Sequence, residues 1–400
     1  MFIPVRDLWW LAAGGAGYGA RYMKVRLDAA LTARQRRRLP DPTGELLRLQ
    51  TLYGYNAHSL ASIAPGALLW STPDIDGAII YGEFGRVWLA AGDPLAPLEE
   101  MAELARQFAA FAKRKGRVVA FVPGSSEFAR MMTSHDFAAV KVGAAPYFDL
   151  ETWQPRGDSA KKLRAGVNQA RRAGVEIEMI ADGVDQSLKK ETAQLCMRWL
   201  DSRRAGTTFG WLVALDPFLH SEHKKYFAAR VNGKLVGFLA ASPIPARKAW
   251  YLEDVLREPD APQGTSTLLV VEALAKLKAE GATRATLGTS PLATDGPNVV
   301  LSSEHRVIER ALRMASRRLG GFYNFEGLRR FKGKFVPSWW ESEYVLSQRG
   351  VTIPPRIAHA IVRALVPGGL TQLLTRQALR VTRLETVTKS LSASSRPAKK

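Results

Sequence analysis

The 400-residue chain has one cysteine, Cys196, which excludes an intrachain disulfide and a cysteine-built metal cluster. Cys196 sits in the helix-like run TAQLCMRWL and reads as a buried structural thiol. Acidic side chains are scarce: 37 stand against 57 lysines and arginines, a formal net charge of +20. No apolar run is long enough to span a bilayer as a helix. The uncharged stretch Leu8–Ala20 has 13 residues, about 20 Å as a helix, where a bilayer core needs about 30 Å. The GxSxG, HExxH, Walker and GxGxxG signatures are all missing. The six histidines lack metal-ligand spacing, and His220 and His223 read as a surface pair in a polar loop. No metal and no cofactor are expected.

What is present is basic charge, concentrated at the ends. Residues 1–40 hold eight basic and two acidic side chains, a net of +6, and residues 351–400 hold nine and one, a net of +8. A polyanionic partner is implied, either nucleic acid, anionic lipid or both; charge kept for solubility is the alternative. Near the N-terminus, Trp9, Trp10 and Tyr18 precede Arg21, Lys24 and Arg26, the pattern of an interfacial anchor. Arg34–Arg38 reads as a basic linker. After Pro354-Pro355 come two apolar-basic segments, Ile357–Val366 and Leu370–Leu384. The second interleaves leucines with Arg376, Arg380 and Arg383, as in a helix lying in an anionic membrane surface. A helix packed on its own domain is the alternative. SASSRPAKK at the end is polar enough to be disordered.

The interior reads as an order of elements that occurs twice. Ala78–Tyr81 and Arg86–Ala91 form a hairpin around Glu83-Phe84-Gly85; a helix over Leu98–Lys115, a strand Arg117–Phe121, a helix Ser126–Ser134 and a strand Ala138–Val142 follow. Then Lys189–Ser202 is a helix, and Lys225–Val231 and Lys234–Ala241 flank the hairpin turn Asn232-Gly233. A strand, charged turn and helix start run from Trp250 to Leu269; Ala285–Leu287, a helix Glu304–Arg318 and a last strand Phe322–Phe325 complete the set. Between the halves, Ser159–Gly174 places Leu163, Val167 and Ala170 on one helix face and Lys161, Arg164, Asn168, Arg171 and Arg172 on the other. The basic face either binds phosphate or is simply solvated. The expected organisation is a basic N-terminal segment (1–42), two α/β units (43–158 and 159–348) and a basic amphipathic tail (349–400).

Hairpin, strand, turn and helix is the layout of the acetyltransferase (GNAT) superfamily, where turn amides at a helix start bind the pyrophosphate of coenzyme A. That turn usually reads Arg/Gln-x-x-Gly-x-Gly/Ala. Here it is Asp260-Ala-Pro-Gln-Gly264-Thr-Ser266, so the coenzyme A signature is weak.

The segments GRVWLAAGDP, KVGAAPYFDL, KKLRAGVNQARRAGVEIE, YLEDVLREPDAPQGT, ATLGTSPLA and FYNFEGLRRFKGKFVPSWWESEY carry a closer likeness. From about Leu47 to Leu346 the chain resembles the C-terminal catalytic domain of the phosphatidylglycerol lysyltransferase (multiple peptide resistance factor) family. The resemblance implies tandem acetyltransferase-like domains, here with basic amphipathic ends. It also implies transfer of an amino acid from aminoacyl-tRNA to a lipid hydroxyl such as that of phosphatidylglycerol, at the cytoplasmic face of the membrane, in a family tied to antimicrobial peptide resistance. The alternatives are an aminoacyl-tRNA-dependent transferase with a soluble acceptor, a coenzyme A-dependent N-acyltransferase, and a non-catalytic tRNA- or membrane-binding protein.

By this resemblance Asp254 and Arg257 match an Asp-x-x-Arg pair. Asp254 is assigned to the amino acid's ammonium or to the hydroxyl proton, and Arg257 to phosphate or to orienting Asp254. Lys332 and Lys334 match lysines of a Phe-Lys-x-Lys-Phe run and would meet lipid or tRNA phosphate. Gly288 and Pro291 match a pocket-lining Leu-Gly-x-x-Pro loop, and Gly264 belongs to the turn. Together these are expected to form one pocket. Two departures stand out. Trp340-Glu341-Ser342-Glu343-Tyr344 is acidic at 343 where the family has Trp-x-Pro-Arg-Tyr, and the acidic pair after Lys-x-Gly is replaced by Ala144-Ala145. The family's large N-terminal bundle of membrane helices is not in this sequence, so no flippase role is expected.

Overall fold

The computed structural model describes residues 43–180, 183–202, 215–299, 324–348 and 354–365. The readings on 1–42, Glu304–Arg318 and Leu370–Leu384 lie outside these residues. Among the described residues, no helix is long and apolar enough to cross a membrane.

The first unit opens with α1 (Thr43–Tyr53) and the short α2 (Ser59–Ser62). Strands β1 (Leu68–Thr72), β2 (Ile75–Phe84) and β3 (Val87–Ala91) follow as an antiparallel meander. Helix α3 (Met101–Arg114) leads to β4 (Val118–Gly124), which returns parallel to β3. Met101, Leu104, Ala105, Phe108 and Ala112, spaced by three and four, bury one stripe of α3 against Trp88, Phe121 and Phe128. Ser125 caps α4 (Ser126–Thr133) by accepting from the Phe128 amide at 3.1 Å. Then comes β5 (Phe137–Asp149), a strand of 13 residues.

The second unit repeats the order. It starts with α5 (Lys161–Arg172), β6 (Glu176–Ile180) and α6 (Gln186–Ser202). The hairpin β7 (Lys225–Val231) and β8 (Lys234–Ile244) turns at Asn232 and Gly233, with φ of 48° and 78°, as a two-residue primed turn requires. Strands β9 (Ala249–Leu252) and β10 (Leu256–Arg257) both pair with β8. Helix α7 (Thr265–Ala279) leads to β11 (Arg284–Thr286), parallel to β9, and β12 (Ser290–Pro291) pairs with β5. The last described elements are α8 (Phe325–Gly333), β13 (Trp339–Gln348) and α9 (Pro354–Leu365).

Among the described residues, all thirteen strands belong to one sheet, ordered β1-β2-β3-β4-β13-β5-β11-β9-β8-β7-β6 with β10 and β12 beside β8 and β5. At its centre the units exchange their last strands. Strand β13 ends the second unit yet pairs with β4 of the first, while β5 ends the first and pairs with β11 of the second. Each unit carries its own parallel pair, β3/β4 and β9/β11, and the two pairs run in opposite senses. This is the tandem acetyltransferase-like architecture expected from the order of elements.

One expectation changes, and one tail segment takes a packed position. Of the strand expected over Phe322–Phe325, Phe322 and Tyr323 lie outside the described residues and Phe325 opens α8, where the Asn324 side chain accepts from the Gly327 amide at 2.7 Å; the last described strand is β13. Within Ile357–Val366, the described part belongs to α9, and Ile357, Ala360 and Ala364 pack on Val87, Leu89, Ala120 and Val122. That apolar stripe therefore covers the protein's own sheet.

Helices α5 and α7 cross at glycine. Gly264 has φ +93°, and a Cβ there would lie 2.0 Å from the Gly166 carbonyl oxygen. Gly264→Ala is expected to destabilise the protein by about 2–4 kcal/mol, combining backbone strain with a forced separation of the helices. The midpoint of urea unfolding measures this; an unchanged midpoint would mean the crossing is not a constraint.

Candidate active site

Parallel strands that part at their C-terminal ends leave a crevice, the usual place for a ligand in α/β sheets. In the first unit that notch is filled. β3 and β4 pair over five residues, and the Asn56 side chain donates to the Pro123 carbonyl at 2.7 Å while packing on Gly92. In the second unit β9 and β11 pair over only three, Arg284–Thr286 against Ala249–Tyr251. Beyond them β9 stays with β8, whereas the other chain moves over to β5 as β12. The segment Glu253–Val255 lies on one side of the opening and Gly288–Thr289 on the other.

Asp254 keeps part of its surface open but is surrounded densely enough that burial drives its carboxyl well above the usual range. Neighbouring Glu253 and Asp216 push the same way, and Lys224 opposes them. Lys224 is committed to an almost fully buried ion pair with Glu253. Among the described residues Asp254 has no hydrogen-bond or ion-pair partner, and it makes no pair with Arg257. Its proximity raises the Cys196 thiol, already pushed up by burial, to about 12, so that thiol is inert.

Arg257 is exposed and donates to its neighbours' carbonyls, Glu258 at 3.2 Å and Pro259 at 3.5 Å. Its charge reaches Lys334, whose ammonium, displaced first by burial and then by Arg257, falls to about 8. Lys334 Nζ donates to Thr267 Oγ1 at 2.7 Å and lies 4.3 Å from the Phe331 ring centroid. Two cations thus lie by the first turn of α7, whose Thr265, Thr267 and Leu268 amides are already bonded to the Pro262 and Gly264 carbonyls.

Lys332 points elsewhere. Its buried Nζ donates to the carbonyls of Gly288 at 2.8 Å and Thr289 at 2.7 Å. Gly288 has φ +69°, and a Cβ would meet the Tyr251 ring at 2.3 Å, so only glycine lets the loop pass under that ring. Tyr251 meets His58 edge-on at 5.0 Å, and His58 Nε2 lies 2.9 Å from Thr289 Oγ1. Burial, then Lys332, hold the imidazole at about 4, so it is neutral. Glu343 completes the group. Its side chain is buried, and burial raises its carboxyl to about 7 against the opposing influence of Thr289 and Lys332.

Beside Glu343 lies a small recess of about 10 Å³, lined by Asn56, Ser125, Tyr147, Arg247 and Glu341, among others. Arg247 grips Glu341 with both terminal nitrogens, donates to the Tyr147 hydroxyl at 2.9 Å and covers the Tyr55 and Tyr147 rings. Asp93 is raised to about 6, mainly by burial.

The expected residues therefore fall into three groups around the opening. Arg257 and Lys334 meet at α7; Lys332 joins Gly288; Asp254 lies on the β9 side, linked to Gly288 through Tyr251, three residues earlier. Pro291 pairs with Gly143 at the loop's far end. Gly264 is accounted for by the helix crossing. On α5, Arg164 donates to the Gly157 carbonyl at 2.8 Å and Arg171 pairs with Glu272, whereas Lys161 and Arg172 are exposed with no partner among the described residues. His58, Tyr251, Thr289 and Glu343 were not anticipated as site residues. Only Glu343 had a signal in the sequence, as an acid at a position where the family carries arginine.

Residues 49–347 match the model of the phosphatidylglycerol lysyltransferase C-terminal family. The phosphatidylglycerol lysyltransferase of Bacillus subtilis (strain 168) is 26% identical over 289 residues, covering 72% of this chain and 33% of the relative. That of Staphylococcus aureus (strain MRSA252) is 22% identical over 289 residues, covering 72% and 34%. The chain thus spans about a third of the length of these curated relatives. Among solved structures, the C-terminal domain of a candidate lysylphosphatidylglycerol synthetase from Agrobacterium fabrum gives a TM-score of 0.67 at 24% identity, covering 82% of this chain and 98% of that one. L-PGS from Bacillus licheniformis gives 0.66 at 19% identity, covering 80% and 95%. These structures share the fold, and the family model spans the strands and loops that carry the site. The chain belongs to the phosphatidylglycerol lysyltransferase C-terminal family.

Proposed function

We propose that the protein transfers an amino acid from aminoacyl-tRNA to a glycerol hydroxyl of phosphatidylglycerol, working at the cytoplasmic face of an anionic membrane. The observation that carries this reading is the meeting of Arg257 and Lys334 at the first turn of α7, next in the chain to the deep carboxylate Asp254, in a member of this family. Two neighbouring cations suit a lipid phosphodiester. A carboxylate with a raised affinity for protons suits removal of one from a hydroxyl.

The donor is already an activated ester, so the step needs positioning and charge management rather than ATP. The lipid hydroxyl oxygen attacks the ester carbonyl carbon and its proton passes to Asp254. The tetrahedral intermediate collapses by breaking the bond to the terminal ribose oxygen of the tRNA, which regains a proton. Lys332, fixed by the Gly288 and Thr289 carbonyls, is the cation for the developing oxyanion. Lys161 and Arg172 on α5 are free to meet tRNA phosphates, with Arg164 and Arg171 beside them. A lysylated or similarly aminoacylated lipid carries added positive charge, which weakens the attraction of cationic antimicrobial peptides to the surface. A coenzyme A-dependent reaction has less support, since Gly264 is occupied by the approach of α5.

Three outcomes test the reading. Cells expressing the protein should contain a new lipid whose mass exceeds phosphatidylglycerol by one aminoacyl group, and RNase should stop its formation in extracts; no such lipid by mass spectrometry would refute the assignment. Asp254→Asn should lower kcat by about 10²–10⁴-fold with aminoacyl-tRNA binding retained; activity within twofold of wild type would remove Asp254 from the chemistry. Arg257→Gln with Lys334→Gln should raise KM for phosphatidylglycerol vesicles far more than KM for aminoacyl-tRNA, most clearly at low salt. Equal changes in both would place these cations elsewhere in the reaction.

A further inference from the structure

We infer that Glu343 is a positioning residue, which keeps the neighbouring Lys332 an ammonium with one N–H left for the reacting group. The inference rests on the reading of Lys332 as part of the transferase site.

Glu343 comes from β13, the strand that crosses from the second unit into the first. Its side chain is 6% exposed, and its Oε2 has no hydrogen-bond partner among the described residues. A buried carboxylate with an unmet oxygen is costly unless a charge answers it. The ionisable groups around this cluster are Lys332 from α8, His58 from the segment before α2, Asp93 after β3, Tyr147 on β5, Arg247 after β8 and Glu341 on β13. His58 is neutral, and Glu341 and Asp93 are acids. Arg247 is already bound to Glu341 and Tyr147. Lys332 is therefore the cation that answers Glu343.

The same geometry fixes what Lys332 can offer. An ammonium has three N–H groups. Two go to the carbonyls of Gly288 and Thr289, which suit a charged donor and hold its direction. His58, through the Thr289 hydroxyl, ties that loop to the first unit. The third N–H is left for an oxygen that gains charge during the reaction. A free amine would present a lone pair in its place. Burial pulls Lys332 down, and with Glu343 resisting it comes to rest at about 7. Removing the carboxylate's charge therefore lowers the pH at which Lys332 loses its proton.

The test pairs activity with direct titration. Glu343→Gln keeps the shape and removes the charge. It is expected to fold, to change KM for phosphatidylglycerol vesicles less than about twofold, and to shift the alkaline limb of the kcat profile down by about one pH unit or more. The Lys332 side-chain nitrogen, followed by NMR and assigned with Lys332→Met, should show the same downward shift in its midpoint. A profile and midpoint superimposable on wild type would overturn the inference, as would movement of the acid limb instead. Should the variant fail to fold, the wild-type protein still decides: a Lys332 midpoint near that of free lysine, about 10.4, overturns the inference, whereas a strongly lowered midpoint together with a coupled titration of Glu343 supports it. Wild-type protein that makes no aminoacylated lipid would sink the proposed function and leave the NMR result to judge Glu343 separately.

Discussion

The ladder between β5 and β13 is the constraint on which the rest of the molecule depends. Ten residue pairs, from Trp339 opposite Tyr147 to Gln348 opposite Phe137, join the last strand of each unit at the centre of the sheet. Because these strands are exchanged, neither unit can complete its sheet alone. The exchange also fills the first unit's interior beside β4 with Tyr344 and Leu346, both fully buried. It delivers Glu341 and Glu343 to the junction, where Arg247 and Lys332 meet them. The site is therefore held by both units, although its opening lies in the second.

Electrostatics inside the site run against the charge of the chain. A protein of net +20 has buried three acids, Asp93, Glu258 and Glu343, and almost buried the side chains of Glu253 and Glu341. Three of the five are answered by tight pairs, Arg198 with Glu258, Lys224 with Glu253 and Arg247 with Glu341. Such pairs add little net stability once desolvation is counted, but breaking one leaves an uncompensated charge. Their effect is to fix geometry. With those cations committed, the Lys332–Glu343 couple keeps its protonation near neutrality, the range where proton transfer is useful, and burial holds the Asp254 carboxyl well above its usual range.

Local patterns in the sequence were readable wherever one physical rule decided the outcome. Asn232-Gly233 fixed a hairpin with its strand ends, and the spacing of Met101, Leu104, Phe108 and Ala112 gave α3. The doubled order of elements gave the tandem fold, and the family segments from Leu47 to Leu346 coincide with the matched residues 49–347. The rest depended on choices between distant partners. Strand β5 runs on through Gly143-Ala144-Ala145-Pro146, residues of poor strand propensity, because β13, β11 and β12 pair with it. The aromatic run before Gly327 looked like a strand, but an asparagine cap opens a helix at Phe325. His58 stands 231 positions from Thr289, and no periodicity links them. Asp254 and Arg257, three apart in sequence, make no pair: Arg257 donates to the Glu258 and Pro259 carbonyls, and Asp254 has no partner among the described residues.

The two departures from the family's pattern prove to be neighbours. In the β5–β13 register Glu341 lies opposite Ala145, Ser342 opposite Ala144 and Glu343 opposite Gly143. Acids directly opposite one another on adjacent strands repel, the more so when buried. A carboxylate at 144 or 145 and carboxylates at 341 and 343 would compete for the same cations. Small residues on β5 remove that conflict and leave room for the β13 acids beside Arg247 and Lys332. The small residues of β5 and the acid at 343 thus belong to one local arrangement across the β5–β13 ladder. Its consequence falls on Lys332, because the acid that acts on that lysine comes from the exchanged strand.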